Sequence, residues 1–264
     1  METLGIQNWK EFRDFVDDDR QVMPVYWRGQ QDPDWPLASS FERIILNMNG
    51  GWKADASKIY PYDGRYDRGG RPLWDAGFYR AMRDRYRTAF EEATSGLRGA
   101  NPQALEPDQW WALGRHYGLI TPLLDWTEKP YIAAFFALTS LWSQMNKAGG
   151  VVFDGKRVAI YRLLHTEQLE GDGLRVVRPR VDELGRMHGQ RGLFTWLDSE
   201  KYFELQGMLD NTDRGDLLTR LIISDQAVAH GLRDLAEHGI DYRTLYPDMI
   251  GAALHANMQF DRPF

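Results

Sequence analysis

The chain has 264 residues, a formal net charge of −6 and no cysteine, with 43% hydrophobic and 13% aromatic residues. This composition supports a sizeable core and excludes wholesale disorder, disulfides, cysteine-ligated zinc and a thiol nucleophile; the lack of cysteine fits a reducing compartment. The acidic balance argues against nonspecific binding to duplex nucleic acid, while a local basic site survives such an average.

The opening "METLGIQNWKEF" lacks a basic region followed by an apolar run, and the longest apolar run, Tyr131–Leu138, is too short to span a bilayer. A cytoplasmic protein with no membrane segment is expected. In "NWKEFRDFV" a short helix is predicted, with Asn8 as cap, Glu11 at the capping-box position and Trp9, Phe12 and Val16 on one face. "MPVYWRG" predicts a strand ending at Gly29, with Val25 and Trp27 on one side and Tyr26 and Arg28 on the other. The stretch from Asn47 to Trp74, rich in Gly, Asp, Tyr and Arg, predicts a long loop or insertion within a single domain spanning 1–264.

A helix is predicted from Asp75, where Phe78, Met82, Tyr86, Ala89 and Ala93 recur at helical spacing until Gly96 and Gly99 stop it. Its stripe of Arg80, Arg83 and Arg87 suits a solvated face better than an anion-binding surface. Another helix should run from Pro107 to near Gly118. "YIAAFFALTSLW" is apolar on every side and predicts a buried central helix, with Thr127 or Glu128 as cap and Pro130 in the first turn. Beyond it, "GGVVFD", "VAIYRL", "GLFTWL" and "TRLIIS" predict strands, followed by helices over Gln226–His238 and Pro247–Asn257. No period repeats. The expected class is α+β: a single compact domain with a mixed or antiparallel central sheet flanked by helices.

There is no GxxxxGK[ST], no GxGxxG after a strand, no HExxH and no GxSxG. The six histidines show no ligand spacing, so no metal site is expected. Three polar clusters stand in apolar sequence: Tyr26 to Gln30; "RHYGLITPLLDWT" with His116, Tyr117, Thr121, Asp125, Trp126 and Thr127; and "RMHGQRGLFTW" with Gln190. Each sits at a strand end or helix start, where polar groups can converge on a ligand. Each also has a structural alternative. Arg28 and Asp125 could form a buried ion pair. His116 suits a helix C-terminus, Thr127 suits a cap, and Gln190 suits a loop hydrogen bond.

Taken together, "YWRGQ" with "LASSFER", "HYGLITPLLDWTEKPYIAAFFA", "HGQRGLFTW" and the closing "HGIDYRTLYPDMIGAALHA" resemble the FRG domain family, named for its aromatic-Arg-Gly motif. Two departures stand out. Arg115 occupies a position where the family usually has Gln, and Ile120, Thr121 and Pro122 stand where it usually has Pro-Thr-Arg, so Arg115 is the residue that could substitute for the missing arginine. The aromatic-Arg-Gly strand and "DWTEKPYIAAFFA" are also similar to motifs of arginine-type ADP-ribosyltransferases.

That second resemblance implies NAD as substrate and an ADP-ribosyltransferase-like fold. It implies Arg28 and Gly29 at the NAD phosphates, Thr127 at the nicotinamide ribose, and Tyr26, Tyr117 and Trp126 around the ligand. Gln190, with Asp125 and His116, would stand at the catalytic position; Glu200 or Glu204 are the less favoured substitutes for Gln190. A glutamine can position a nucleophile but cannot act as a base. The implied role is a bacterial toxin or antiphage effector acting on nucleic acid or protein, with an antitoxin or partner protein. The alternative is a non-catalytic module that binds a nucleotide or nucleic acid in the same pocket.

Overall fold

The computed structural model describes residues 1–19, 22–48, 62–66, 72–74, 76–147, 155–180, 185–197, 202 and 204–260. Asn8 Oδ1 accepts from Glu11 N at 3.1 Å, and the Glu11 carboxylate accepts in return from Asn8 Nδ2 and Gln7 N. That reciprocal cap starts helix α1 (Trp9–Asp18), whose Trp9 and Phe12 are buried. Before it, Glu2–Ile6 forms strand β1, which the sequence does not announce. Five residues with Gly5 among them carry a weak strand signal, and the register with a distant strand makes it one.

Strand β2 (Val25–Gln30) runs one residue past Gly29. Helix α2 (Ser40–Met48) follows, then a hairpin of β3 (Tyr62–Tyr66) and β4 (Pro72–Trp74) inside the stretch expected to be a loop or insertion. The remainder of that stretch, 49–61 and 67–71, lies outside the described residues. Helices α3 (Ala76–Ala93) and α4 (Pro107–His116) precede β5 (Leu123–Thr127) and the apolar α5 (Pro130–Lys147). The expected strand "GGVVFD" lies outside the described residues.

Then come β6 (Arg157–Leu164), α6 (Glu167–Gly171), β7 (Leu174–Val177), α7 (Arg186–Gln190), β8 (Gly192–Leu197) and α8 (Leu205–Asn211). The chain closes with β9 (Leu218–Ser224), α9 (Val228–Glu237), α10 (Tyr242–Leu245) and α11 (Met249–Phe260). The helix expected from Gln226 begins two residues late, because Asp225–Ala227 tightens into a 3-10 turn capped by Ser224. The one expected from Pro247 begins at Met249 and reaches Phe260.

Seven strands form one mixed sheet in the order β1-β9-β6-β2-β5-β8-β7, with β1 parallel to β9 and every other neighbour antiparallel. Alternation along the strands sorts side chains onto two faces. On β6, Val158 and Ile160 join the core under α1, α5 and α9, while Ala159, Tyr161 and Leu163 join the core under α6 and α8. Toward the β7 edge, Trp111 and Ala112 of α4 pack on Leu123, Phe194 and Trp196. Cross-strand partners share a face, so the pairs Leu123–Trp196, Asp125–Phe194 and Thr127–Gly192 put Asp125 and Thr127 on the α4 side. Thr127 also pairs with Trp27, whose core is that of α5. One sheet therefore integrates the chain into a single domain, and the space between α4 and α5 opens above β5.

Candidate functional site

The seam between β2 and β5 locates the site. Among the described residues the two strands share the single register pair Trp27–Thr127, so the ladder is open beyond it. Arg28 fills the opening: its Nη1 donates to the main-chain carbonyl of Asp125 at 2.9 Å and stands 3.6 Å from that residue's Oδ2. A guanidinium thereby satisfies a carbonyl that the ladder leaves unpaired. Gly29 has a different task. A Cβ there would fall 2.1 Å from the Ala133 carbonyl oxygen and 2.7 Å from Ala137 N, so its hydrogen is what lets α5 lie on β2.

Two joined cavities open at this seam. The first, about 290 Å³, is bounded by Arg28 and Gly29 of β2, Asp125 and Thr127 of β5, Phe136 of α5 and Gln190 of α7. The second, about 210 Å³, is bounded by His116 of α4, Arg186 and Met187 of α7, and Leu193 and Phe194 of β8. Arg115, Asp125, Trp126, Gln190 and Tyr246 line both and form the waist between them.

The strongest contact at the waist is a two-point clasp: Arg115 Nε donates to Asp125 Oδ1 at 3.1 Å and Nη2 to Oδ2 at 2.7 Å. The side chains of Arg115 and Asp125 are 33% and 42% exposed, whereas that of Arg28 is 14% exposed. Partial burial pushes the Asp125 carboxyl up, but the Arg115 guanidinium, its hydrogen bonds and Arg28 outweigh this and hold it at about 2. Burial lowers Arg28 to about 10, against the opposing pull of Asp125 and with the help of Arg43 and Arg115, so it stays cationic at neutral pH. Arg28 Nε is buried and has no hydrogen-bond acceptor among the described residues. Burial raises the Tyr246 hydroxyl to about 12, with Tyr242 and Asp125 adding to the effect.

The third wall is tied down by its own bonds. Thr127 Oγ1 donates to the Gln190 carbonyl at 2.7 Å and accepts from Lys129 N at 3.1 Å, so it links β5 to α7 and shapes the entry to α5. The Gln190 amide donates to the Leu245 carbonyl at 3.0 Å. Arg186 is clamped on Asp248 at 2.7 Å and lies over the Tyr246 ring at 5.0 Å.

The structure thus brings together Arg28, Gly29, His116, Asp125, Trp126, Thr127 and Gln190. It does not bring Tyr26 or Tyr117 to the cavities. Tyr26 is buried in the core on the opposite face, its ring 5.3 Å from that of His165, because alternation turns it away from Trp27. Tyr117 is 54% exposed past the end of α4. Glu204 is at the N-terminus of α8, away from the lining, and Glu200 lies outside the described residues. Arg28 and Asp125 do meet, but the carboxylate's closer partner is Arg115. Sequence reasoning assigned no role to Arg186, Met187, Phe136 or Tyr246; the signal available for Tyr246 was its place in the closing "DYRTLYPDM".

No set of three or more histidine, aspartate or glutamate side chains is grouped to hold a metal ion among the described residues. No helix among them is long and apolar enough to cross a membrane. In a comparison with protein families, residues 23–145 match the FRG domain. No curated protein and no solved structure matches the chain. The matched segment contains Arg28, Arg115, Asp125 and Thr127, while Gln190, Arg186 and Tyr246 lie beyond it.

Proposed function

We propose, from the FRG domain that residues 23–145 carry, that the cleft binds a nucleotide whose phosphate is held by Arg28 and Arg115. The observation that supports this is a charge excess. Arg28 and Arg115 both line the cleft, and among the described residues Asp125 is the single carboxylate in the lining; Arg186 is already neutralised by Asp248. Two guanidiniums facing one carboxylate are short of one negative charge, and a phosphate supplies it with the planar two-point geometry that arginine favours. Calorimetric titration with AMP tests the reading. Arg115→Ala should weaken AMP binding by about tenfold or more, the loss of one charge-assisted contact. A wild-type protein indifferent to millimolar AMP would end the reading.

ADP-ribosyl transfer from NAD is the second reading, favoured by the meeting of Arg28, Thr127 and Gln190 on one cleft. In that reaction the bond from the ribose carbon to nicotinamide breaks, positive charge develops on the ribose, neutral nicotinamide leaves, and an acceptor nucleophile closes on the same carbon and releases its proton to solvent. Asp125, held at about 2 by its guanidiniums, is a weak base, and the Gln190 amide is none. These groups would therefore contribute by orienting the acceptor and stabilising charge. Nicotinamide release from NAD, lost in Gln190→Ala, is the expected result; NAD bound without release leaves a binding module. The cellular counterpart is a toxin or antiphage effector acting on nucleic acid or protein, and growth arrest on expression that survives Arg28→Ala would count against it.

A further inference from the structure

The arginine stripe of α3 is not the solvated face that its spacing suggests. Arg87 is bonded to Glu91 at 3.1 Å with 18% of its side chain exposed, and the Arg83 side chain is 13% exposed. Arg83 lies over two rings, that of Trp196 at 5.0 Å and that of Tyr79 at 5.9 Å. Its buried Nε has no hydrogen-bond acceptor among the described residues. The Asp84 carboxylate stands 3.6 Å from that nitrogen, beyond hydrogen-bond reach, and the Glu42 carboxyl already accepts from Ser39 and Tyr79. A guanidinium this deep normally finds an acceptor and a counter-charge. A second cation shares the ring. Arg175 of β7 is the cross-strand neighbour of Trp196; it is exposed and rests on the indole at 5.2 Å rather than on a carboxylate. The ring attracts each cation, but two like charges within about 10 Å of each other, as those two distances require, repel. An anion shared by both would relieve the repulsion and give Arg83 its acceptor.

We propose that Arg83 and Arg175, seated on Trp196, form a second anion site that takes a phosphate group, free or as a phosphodiester of a nucleic-acid strand. Neither arginine lines the cleft, so the site goes beyond the nucleotide reading and does not rest on it. Phosphate suits two guanidiniums better than a carboxylate does. A carboxylate spends both oxygens on one fork, whereas a phosphate keeps an oxygen for the second. The exposure of Arg175 leaves the site open to an ester as well as to the free ion.

The test titrates a short fluorescein-labelled oligothymidylate, followed by anisotropy, and inorganic phosphate, followed by thermal scans. Arg175→Gln keeps a stem on the ring and removes the charge. It should weaken oligonucleotide binding about fivefold or more and lower the slope of log affinity against log salt by about one, while AMP binding at the cleft stays unchanged. Arg115→Ala should do the reverse, losing AMP and keeping the oligonucleotide. Arg85→Gln removes the same charge from the opposite side of α3 and should leave the affinity within about twofold. Arg83→Lys is a second variant: it keeps the charge, loses the fork and should weaken binding too. Melting curves establish that each variant folds. If the oligonucleotide does not bind but phosphate raises the melting temperature of the wild type more than that of Arg175→Gln, the free ion is the source and the site stands. If Arg175→Gln alters neither response, or Arg85→Gln alters them as much, the proposal is overturned. Displacement of the oligonucleotide by polyglutamate of equal charge overturns it as well, since the surface would then take carboxylates.

Discussion

Glu42 is 4% exposed, and replacing it with glutamine should change how stability depends on pH. Ser39 caps α2 by accepting from Phe41 N at 3.1 Å and Glu42 N at 3.3 Å. The Ser39 and Tyr79 hydroxyls both donate to the Glu42 carboxyl, joining α2 to α3. Burial raises this carboxyl from 4.5 to about 7, although those hydrogen bonds and Arg83 pull the other way. At about 1.4 kcal/mol per pH unit, the difference corresponds to about 3 kcal/mol. A raised carboxyl means that the folded chain binds a proton where the unfolded chain does not. The contribution is therefore complete below 4.5 and is lost as pH rises through about 7. Urea denaturation of wild type and Glu42→Gln across that window reads it directly. The wild type should lose about 3 kcal/mol relative to the variant as pH climbs from acid to mildly alkaline. A difference that stays flat within about 0.5 kcal/mol would refute the reasoning, because no buried proton would then be released. The effect bears on the cleft, since Ser40, beside Ser39, accepts from Thr121 N and donates to its carbonyl just ahead of the strand that carries Asp125.

Gly29→Ala should cost about 3 kcal/mol or more in chemical denaturation, because the added methyl meets the backbone of α5 rather than a side chain that can move; a fully stable variant would show that α5 can slide. Asp125→Asn leaves Arg28 and Arg115 without their carboxylate, so inorganic phosphate should raise the melting temperature of the variant more than that of the wild type, as thermal scans in phosphate and in an uncharged buffer would show. Because Asp125 is held at about 2, its folded-state contribution is lost only as pH falls toward that value. AMP affinity should therefore show no Asp125 step above about pH 4, and a step near 4 in a pH series would mean the clasp with Arg115 is broken.

Local chemistry was enough to recover much of this molecule. The Asn8–Glu11 cap, the all-round apolar α5 and the alternation of Val25, Tyr26 and Trp27 follow from residue types at short spacing, and each appears where spacing puts it. The same short-range rules identified three polar stretches whose Arg28, Asp125, Thr127 and Gln190 do share a cleft. Partner choice lay beyond them. Both Arg28 and Arg115 compete for Asp125, and which one takes the two-point clasp depends on how α4 packs across β5, a geometry set by Trp111 on Leu123 and Phe194. Gly29 looks like a strand end in one dimension and is a helix crossing in three. Tyr246 enters the wall because α10 docks against α7, far away along the chain. A side chain's periodicity and charge are properties of its near neighbours, whereas its counter-ion, its crossing partner and the cavity it borders are set by contacts between residues that only packing makes adjacent.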